Sequence, residues 1–275
     1  MLTNPKKEKA VVMLAPSFVV DFSYPEIIGM LKEIGFERVV ELTFGAKMIN
    51  REYHKIIENK RNKNKLIIAS VCPGITEFIE KNLPKYKKNL IKVDSPMIAT
   101  AKICRKIYPK HKVCFISPCN FKKIEAEKNK GIIDEVITFA ELKDVFEKKS
   151  IKPEKYKNKT HCFDKFYNDY TKVYPLSGGL SKTAHLKQVL KPGEEKTIDG
   201  IGDVKKFLDN PDKKIRFLDA TFCVGGCLGG PCIQNKSLED KKKKLMHYLE
   251  VAKKEKMPEG REGLIEKAKG IKFRY

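Results

Sequence analysis

The spacing that most constrains the fold is a compact cysteine pair that has to meet two cysteines lying far upstream. Cys223 and Cys227 stand in the run Asp219-Ala-Thr-Phe-Cys-Val-Gly-Gly-Cys-Leu-Gly-Gly-Pro-Cys232. The others are Cys72, in Ser70-Val-Cys-Pro-Gly74, and Cys119, in Ser117-Pro-Cys-Asn-Phe-Lys-Lys-Ile-Glu125. All four sit in turns beside proline or glycine. Four thiolates are the ligand set of one iron–sulfur cubane. The glycines around Cys223 and Cys227 let the backbone turn tightly and bring amide N–H groups close to a cluster.

Composition narrows what such a set can serve. The chain has 275 residues, enough for a sizeable core in one large or two modest lobes. No run of apolar residues is long enough for a membrane span. Met1 to Ala10 reads as a short lysine-rich leader running into a strand, so export is not expected and the setting is cytoplasmic. Eight cysteines in such a setting favour metal binding over disulfides. Cys104 in a helix and Cys114 in mid-strand read as packed core thiols, and Cys162 lies in a polar loop. Cys232 follows Gly229-Gly230-Pro231 and reads as a non-ligand thiol near the cluster. The balance of 57 basic against 35 acidic residues gives +22, but lysine is spread along the chain and tryptophan is absent. With no RNA-binding motif, this points to a solvated lysine surface and an acidic protein partner, not to nucleic acid.

The coarse organisation is α/β. Strands are expected at Lys9–Leu14, Arg38–Thr43, Lys65–Ser70, Lys112–Ser117, Glu135–Thr138 and Arg216–Ala220. Helices are expected at Tyr24–Gly35, near Asn50–Lys60, at Ile75–Lys81, Pro96–Tyr108 and Phe139–Lys148. The stretch Lys149–Thr171 reads as polar and irregular. Cys72, Cys119 and Cys223 each follow a strand end, where open α/β sheets place their sites.

With these motifs in view, the chain resembles the catalytic domain of the [FeFe]-hydrogenases, which interconvert protons, electrons and H2. The resemblance runs from Val11 to about Asn235, with a weaker echo in Leu264–Tyr275. Ala15-Pro16-Ser17, Phe44-Gly45-Ala46, Cys72-Pro73-Gly74, Ser95-Pro96, Pro118-Cys119 with Lys122 and Glu125, Ile133-Asp134 to Leu142, and the Cys-x-Gly-Gly-Cys run occur in the family's order. It implies two lobes of mostly parallel sheet flanked by helices, residues 1–150 and 151–275, with the H-cluster in the cleft between them. That cluster is a [4Fe-4S] cubane joined through one thiolate to a diiron subcluster carrying CO, CN⁻ and a bridging dithiolate. Cys72, Cys119, Cys223 and Cys227 correspond to the cubane ligands, and Cys227 to the bridging thiolate. Lys122 matches the lysine that binds one cyanide, Ala15, Pro16 and Ser17 line the other, and Glu125 reads as a structural partner.

Departures from the family fall on its proton route. Val71 stands where prototypes have a proton-carrying cysteine. Gap-free alignment puts Tyr53, Ile56 and Ile91 at the positions of two glutamates and a serine of the outward relay. Cys232 is the first candidate for a replacement relay. Ser117 and Thr221 replace two methionines that flank the cluster, making its surroundings more polar. No ferredoxin-type cysteine run occurs, so no accessory clusters are expected. Electrons would come directly from a ferredoxin or similar acidic carrier, and hydrogenase maturation proteins would supply the diiron unit. The activity implied is reversible reduction of protons to H2. The alternatives are a low-turnover H2-sensing homologue and a non-catalytic protein with only the cubane.

Overall fold

The computed structural model describes residues 9–59, 65–157, 161–167, 170–234 and 236–275. Most of the expected lysine-rich leader, the end of the helix expected to reach Lys60, and parts of the Lys149–Thr171 stretch lie outside the described residues. The architecture is α/β, with parallel sheets flanked by helices. The larger sheet has the order β2-β1-β4-β5, from β1 (Ala10–Leu14), β2 (Arg38–Glu41), β4 (Lys112–Ser117) and β5 (Glu135–Thr138). All five residues of β1 are buried. This follows from a central parallel strand, which is covered on both faces and so reads as a continuous apolar run.

The second sheet has the order β3-β7-β6, from β3 (Ile67–Ile68), β7 (Phe217–Thr221) and β6 (Glu195–Asp199). A single boundary near residue 150 therefore does not separate the two sheets. β3, from the first half of the chain, pairs in parallel with β7, Ile67 opposite Phe217 and Ile68 opposite Leu218. β3 is also shorter than the expected Lys65–Ser70; its ladder partner is β7, and a lone bridge from Ile68 to Leu90 flanks its other side.

Helices α1 (Glu26–Glu33), α2 (Thr43–Glu58), α3 (Pro73–Asn82), α4 (Pro96–Ile107), α5 (Phe121–Lys128), α6 (Phe139–Lys148), α7 (Gly179–Thr183), α8 (Ile201–Asp209) and α9 (Leu238–Lys254) complete the described elements. Their starts follow local chemistry. The Thr138 hydroxyl accepts from Glu141 N–H and the Glu141 carboxylate caps Thr138, so α6 opens with a full capping box. Ser95 caps α4 ahead of Pro96. α2 begins at Thr43, earlier than the expected start near Asn50, and takes in Phe44-Gly45-Ala46. A Cβ on Gly45 would come within 2.1 Å of Thr100 Oγ1, so glycine is what lets α2 lie against α4. Among the described residues no helix is long and apolar enough to cross a membrane.

Candidate metal centre

The strand ends deliver the cysteines to one place. Cys72 lies just past β3 and is the N-cap residue of α3. Cys119 lies just past β4, ahead of α5, in a turn fixed by the Ser117 hydroxyl, which accepts from Cys119 N–H at 3.0 Å. Cys223 and Cys227 follow β7. All four line a single cavity of about 110 Å³, together with Ala15, Pro16, Ser17 and Lys122. Among the described residues no three His, Cys, Asp or Glu side chains come together tightly enough to hold a single metal ion. The four cysteines share the lining of one cavity, and four thiolates are the ligand set of a cubane.

The electrostatics agree. Burial pushes the Cys227 thiol up to about 12, and Cys72 and Cys119 add to the effect. Burial likewise raises Cys223 to about 11, with Cys119, Cys72 and Cys232 contributing. Burial also raises Cys119, partly offset by the amides of Phe121 and Lys122 and by the Lys122 charge. Cys227 has the most accessible surface of the four, yet it is deeply packed, because its accessible side faces the cavity. Cys119, Cys223 and Cys227 thus resist ionisation, and a metal that compensated the charge would bind them as thiolates and release their protons. Amide donors are already in place: Phe222 N–H points at Cys72 Sγ at 3.5 Å. Gly226 has φ +70°, and a Cβ there would lie 2.6 Å from the Pro175 carbonyl oxygen. Glycine thus lets the cysteine loop press against Tyr174–Ser177, and Cys227 N–H donates to Pro175 O at 2.8 Å.

The residues present also fit a second, anionic unit. Ser17 is fully buried, lines the cavity, and its hydroxyl has no hydrogen-bond partner. Such a donor is costly unless something in the cavity accepts from it. Lys122 reaches the same cavity with a side chain 13% exposed and donates to Glu125 Oε2 at 2.6 Å. Glu125 is therefore the partner expected for Lys122.

Cys232 departs from expectation. It is half-buried and does not line the cavity. Asn120 N–H donates to its sulfur, Glu141 and Lys123 are its charged neighbours, and it is close enough to Cys223 to raise that thiol's pKa. Val71 lines the cavity, but Tyr53, Ile56 and Ile91 do not. Cys104 and Cys114 are fully buried, as packed core thiols should be.

Two polar lining residues were not anticipated. Tyr174 presents a buried hydroxyl with no partner, and Asp219 is 2% exposed on β7. A carboxylate inside an otherwise apolar strand, Phe217-Leu-Asp-Ala-Thr221, was the available signal for the second.

Comparison with known proteins agrees with this geometry. The family described as iron only hydrogenase large subunit, C-terminal domain, matches residues 8–231. Iron hydrogenase 1 of Clostridium pasteurianum is 24% identical over 303 residues, covering 86% of this chain and 52% of that protein. The cytosolic Fe-S cluster assembly factor NAR1 of Vanderwaltozyma polyspora is 31% identical over 153 residues, covering 50% of this chain and 29% of that protein. The chain thus spans about half the length, or less, of these relatives. Among solved structures, a variant of the [FeFe]-hydrogenase HydA1 from Chlamydomonas reinhardtii superposes with a TM-score of 0.70 at 15% identity, over 94% of this chain and 86% of that one. HydA(deltaEFG), described as revealing stepwise H-cluster assembly, gives 0.68 at 16% identity, over 88% and 84%.

Proposed function

The chain belongs to the iron-only hydrogenase large-subunit family, and on that premise we propose that it holds an H-cluster and reversibly reduces protons to H2. The observation that carries this reading is the shared cavity. The cubane-type cysteines, the Lys122 ammonium and the partnerless Ser17 hydroxyl all line it. Cys72, Cys119, Cys223 and Cys227 would hold the cubane, with Cys227 shared with the diiron unit. Lys122 and Ser17 would bind its anionic ligands, and a charge-assisted bond from Lys122 is roughly twice as strong as a neutral one. The walls formed by Pro16, Leu42, Val71 and Phe115 keep bulk water away, which strengthens those bonds. When bound, the cluster supplies the electrons that combine with protons to give H2. A ferredoxin or similar acidic one-electron carrier delivers them, drawn by the basic surface.

A second reading, a cubane-only iron–sulfur protein or a low-turnover sensor, is favoured by one observation. Val71, an apolar residue, lines the cavity where prototypes carry the titrating thiol. Infrared spectroscopy after iron–sulfur reconstitution and addition of a diiron precursor separates the two. Bands of iron-bound CO and CN⁻ with H2 production support the enzyme. Binding of about four irons per chain, as one Cys₄ cubane requires, with no such bands supports the cubane-only protein.

A further inference from the structure

Val71 cannot carry a proton, and Cys232 sits outside the cavity. A reaction on protons still requires a group within the site that gains and loses them. We propose that Asp219 is the proton-exchanging group of this cavity, taking the part for which the family position at Val71 is unsuited. This rests on the proton chemistry proposed above.

The ionisable residues lining the cavity are the four cysteines, Lys122, Tyr174 and Asp219. The cysteines are the cluster ligands. The Lys122 ammonium is held by Glu125 at 2.6 Å. Burial raises the Tyr174 hydroxyl well above the usual tyrosine range, so it serves as a hydrogen-bonding hydroxyl and not as an acid near neutral pH. Among the described residues Asp219 is the one carboxyl on the cavity wall.

Its setting suits the part. Ser181 N–H donates to Asp219 Oδ2 at 3.0 Å, and the Ser181 hydroxyl lies beside the same carboxyl group, which together orient it on the cavity wall. Burial raises its pKa from the usual 3.8 to about 6, against the lowering effect of Ser181, and Glu195 on β6 pushes the same way. The other groups facing it are the Tyr174 hydroxyl and Tyr53 on α2. The Tyr53 ring packs edge-on against Phe217, two residues before Asp219, with centroids 6.0 Å apart. None of these facing groups carries a positive charge that would hold Asp219 ionised. A carboxyl group that titrates near neutral pH is the most effective kind of acid–base group there.

The step balances simply. Protonated Asp219 gives its proton toward the site where H2 forms and becomes a carboxylate, then regains a proton from solvent hydronium, or from water with release of hydroxide to solvent. Two such transfers, with two electrons from the one-electron carrier, make one H2, and H2 oxidation runs the same transfers backwards.

The test uses the full chain as wild type, Asp219→Asn and Asp219→Glu. Without a cluster, infrared pH titration of protonated carboxyl groups should show a band with a midpoint near 6 that Asp219→Asn removes. After loading with iron–sulfur and a diiron precursor, Asp219→Asn should keep its iron and its CO and CN⁻ bands. It should lose H2 production by about 10²- to 10⁴-fold, the usual worth of one acid–base group. Asp219→Glu should restore part of the rate with a displaced pH profile. A wild-type rate in the loaded Asp219→Asn protein, or a titration that the substitution leaves unchanged, overturns the assignment while H2 production by the wild type still stands. If the wild type carries CO and CN⁻ but makes no H2, the enzymatic reading fails instead. Asp219 is then judged on the bands: a pH shift that Asp219→Asn abolishes supports it, and pH-invariant bands in the wild type overturn it.

Discussion

The two sheets carry unequal shares of core and of ligands. The larger sheet is built on β1, buried throughout, and joins the main apolar core, including the ring cluster of Phe18, Tyr24, Phe163 and Tyr248. The smaller sheet has a two-residue edge strand, and β6 is exposed or half-exposed along its length. Its own core is seven buried residues, among them Ile75, Ile79, Val204 and Leu218. Yet three of the four cysteines follow its strands, Cys72 after β3 and Cys223 and Cys227 after β7, while only Cys119 follows the larger sheet. The larger sheet rests on extensive apolar burial, with polar contacts such as Val39 N–H to Asp164 Oδ2 at its margin. The smaller one would gain stability from a cluster bound in the cavity.

The sharpest way to break this contrast is to remove the ligands. Cys72→Ala or Cys223→Ala should abolish cluster binding, seen as loss of about four irons per chain. Hydrogen exchange should then speed up in β3 and β7 far more than in β1 and β4. An equal rise in both sheets would sink the idea that they differ.

Asp219 sharpens the contrast through pH. Its carboxyl favours the fold when protonated, so that contribution is complete below pH 3.8 and is lost as pH rises through about 6. At 1.36 kcal/mol per unit of pKa shift, its full span is about 3 kcal/mol. Denaturant midpoints of the cluster-free wild type should therefore fall over this window, more than those of Asp219→Asn. A wild-type curve parallel to the variant's would show that the smaller sheet does not feel this group.

A lesser effect is expected at Lys122, on the helix that follows the larger sheet. Lys122→Ala should cost the cluster-free protein about 1 kcal/mol or less, as loss of a partly exposed ion pair does. It should keep the cubane iron and retain the diiron unit less firmly, read from the intensity of the CO and CN⁻ bands. Loss of the cubane iron as well would mean that Lys122 supports the cysteine site itself.

The smallest change concerns Val224, which is 67% exposed beside Cys223 on the smaller sheet's side. If an acidic carrier docks there, Val224→Glu should slow H2 production from reduced ferredoxin a few-fold, more at low salt than at high. A rate indifferent to this charge at every salt concentration would place electron entry elsewhere.

What could be read from sequence follows the same division. β4, β5 and α6 have the boundaries their patterns predict, because apolar runs and a capping box fix them locally. β6 escaped notice since Glu195-Lys-Thr-Ile-Asp199 is a charged edge strand with little to bury. The cysteine wall was legible because proline and glycine mark its turns. Tyr174 and Asp219 were not, because a lone tyrosine and a lone carboxylate gain their meaning only from the cavity around them. Cys232 lies near enough to Cys223 to raise its pKa but is not among the residues lining the cavity, a distinction that nearness in sequence to Gly229-Gly230 does not make.

The scattering of the ligands has a consequence in time. Cys119 is made 108 residues before Cys227. At about 5–20 residues per second of synthesis, Cys119 waits roughly 5–20 s for Cys227, and Cys72, made earlier still, waits roughly 8–30 s. During that interval Cys72 and Cys119 are two free thiols on an unfinished chain, open to oxidation or to a wrong metal. A cluster held by all four thiols would therefore be completed only after Cys227 has emerged and folding has brought the four to one cavity.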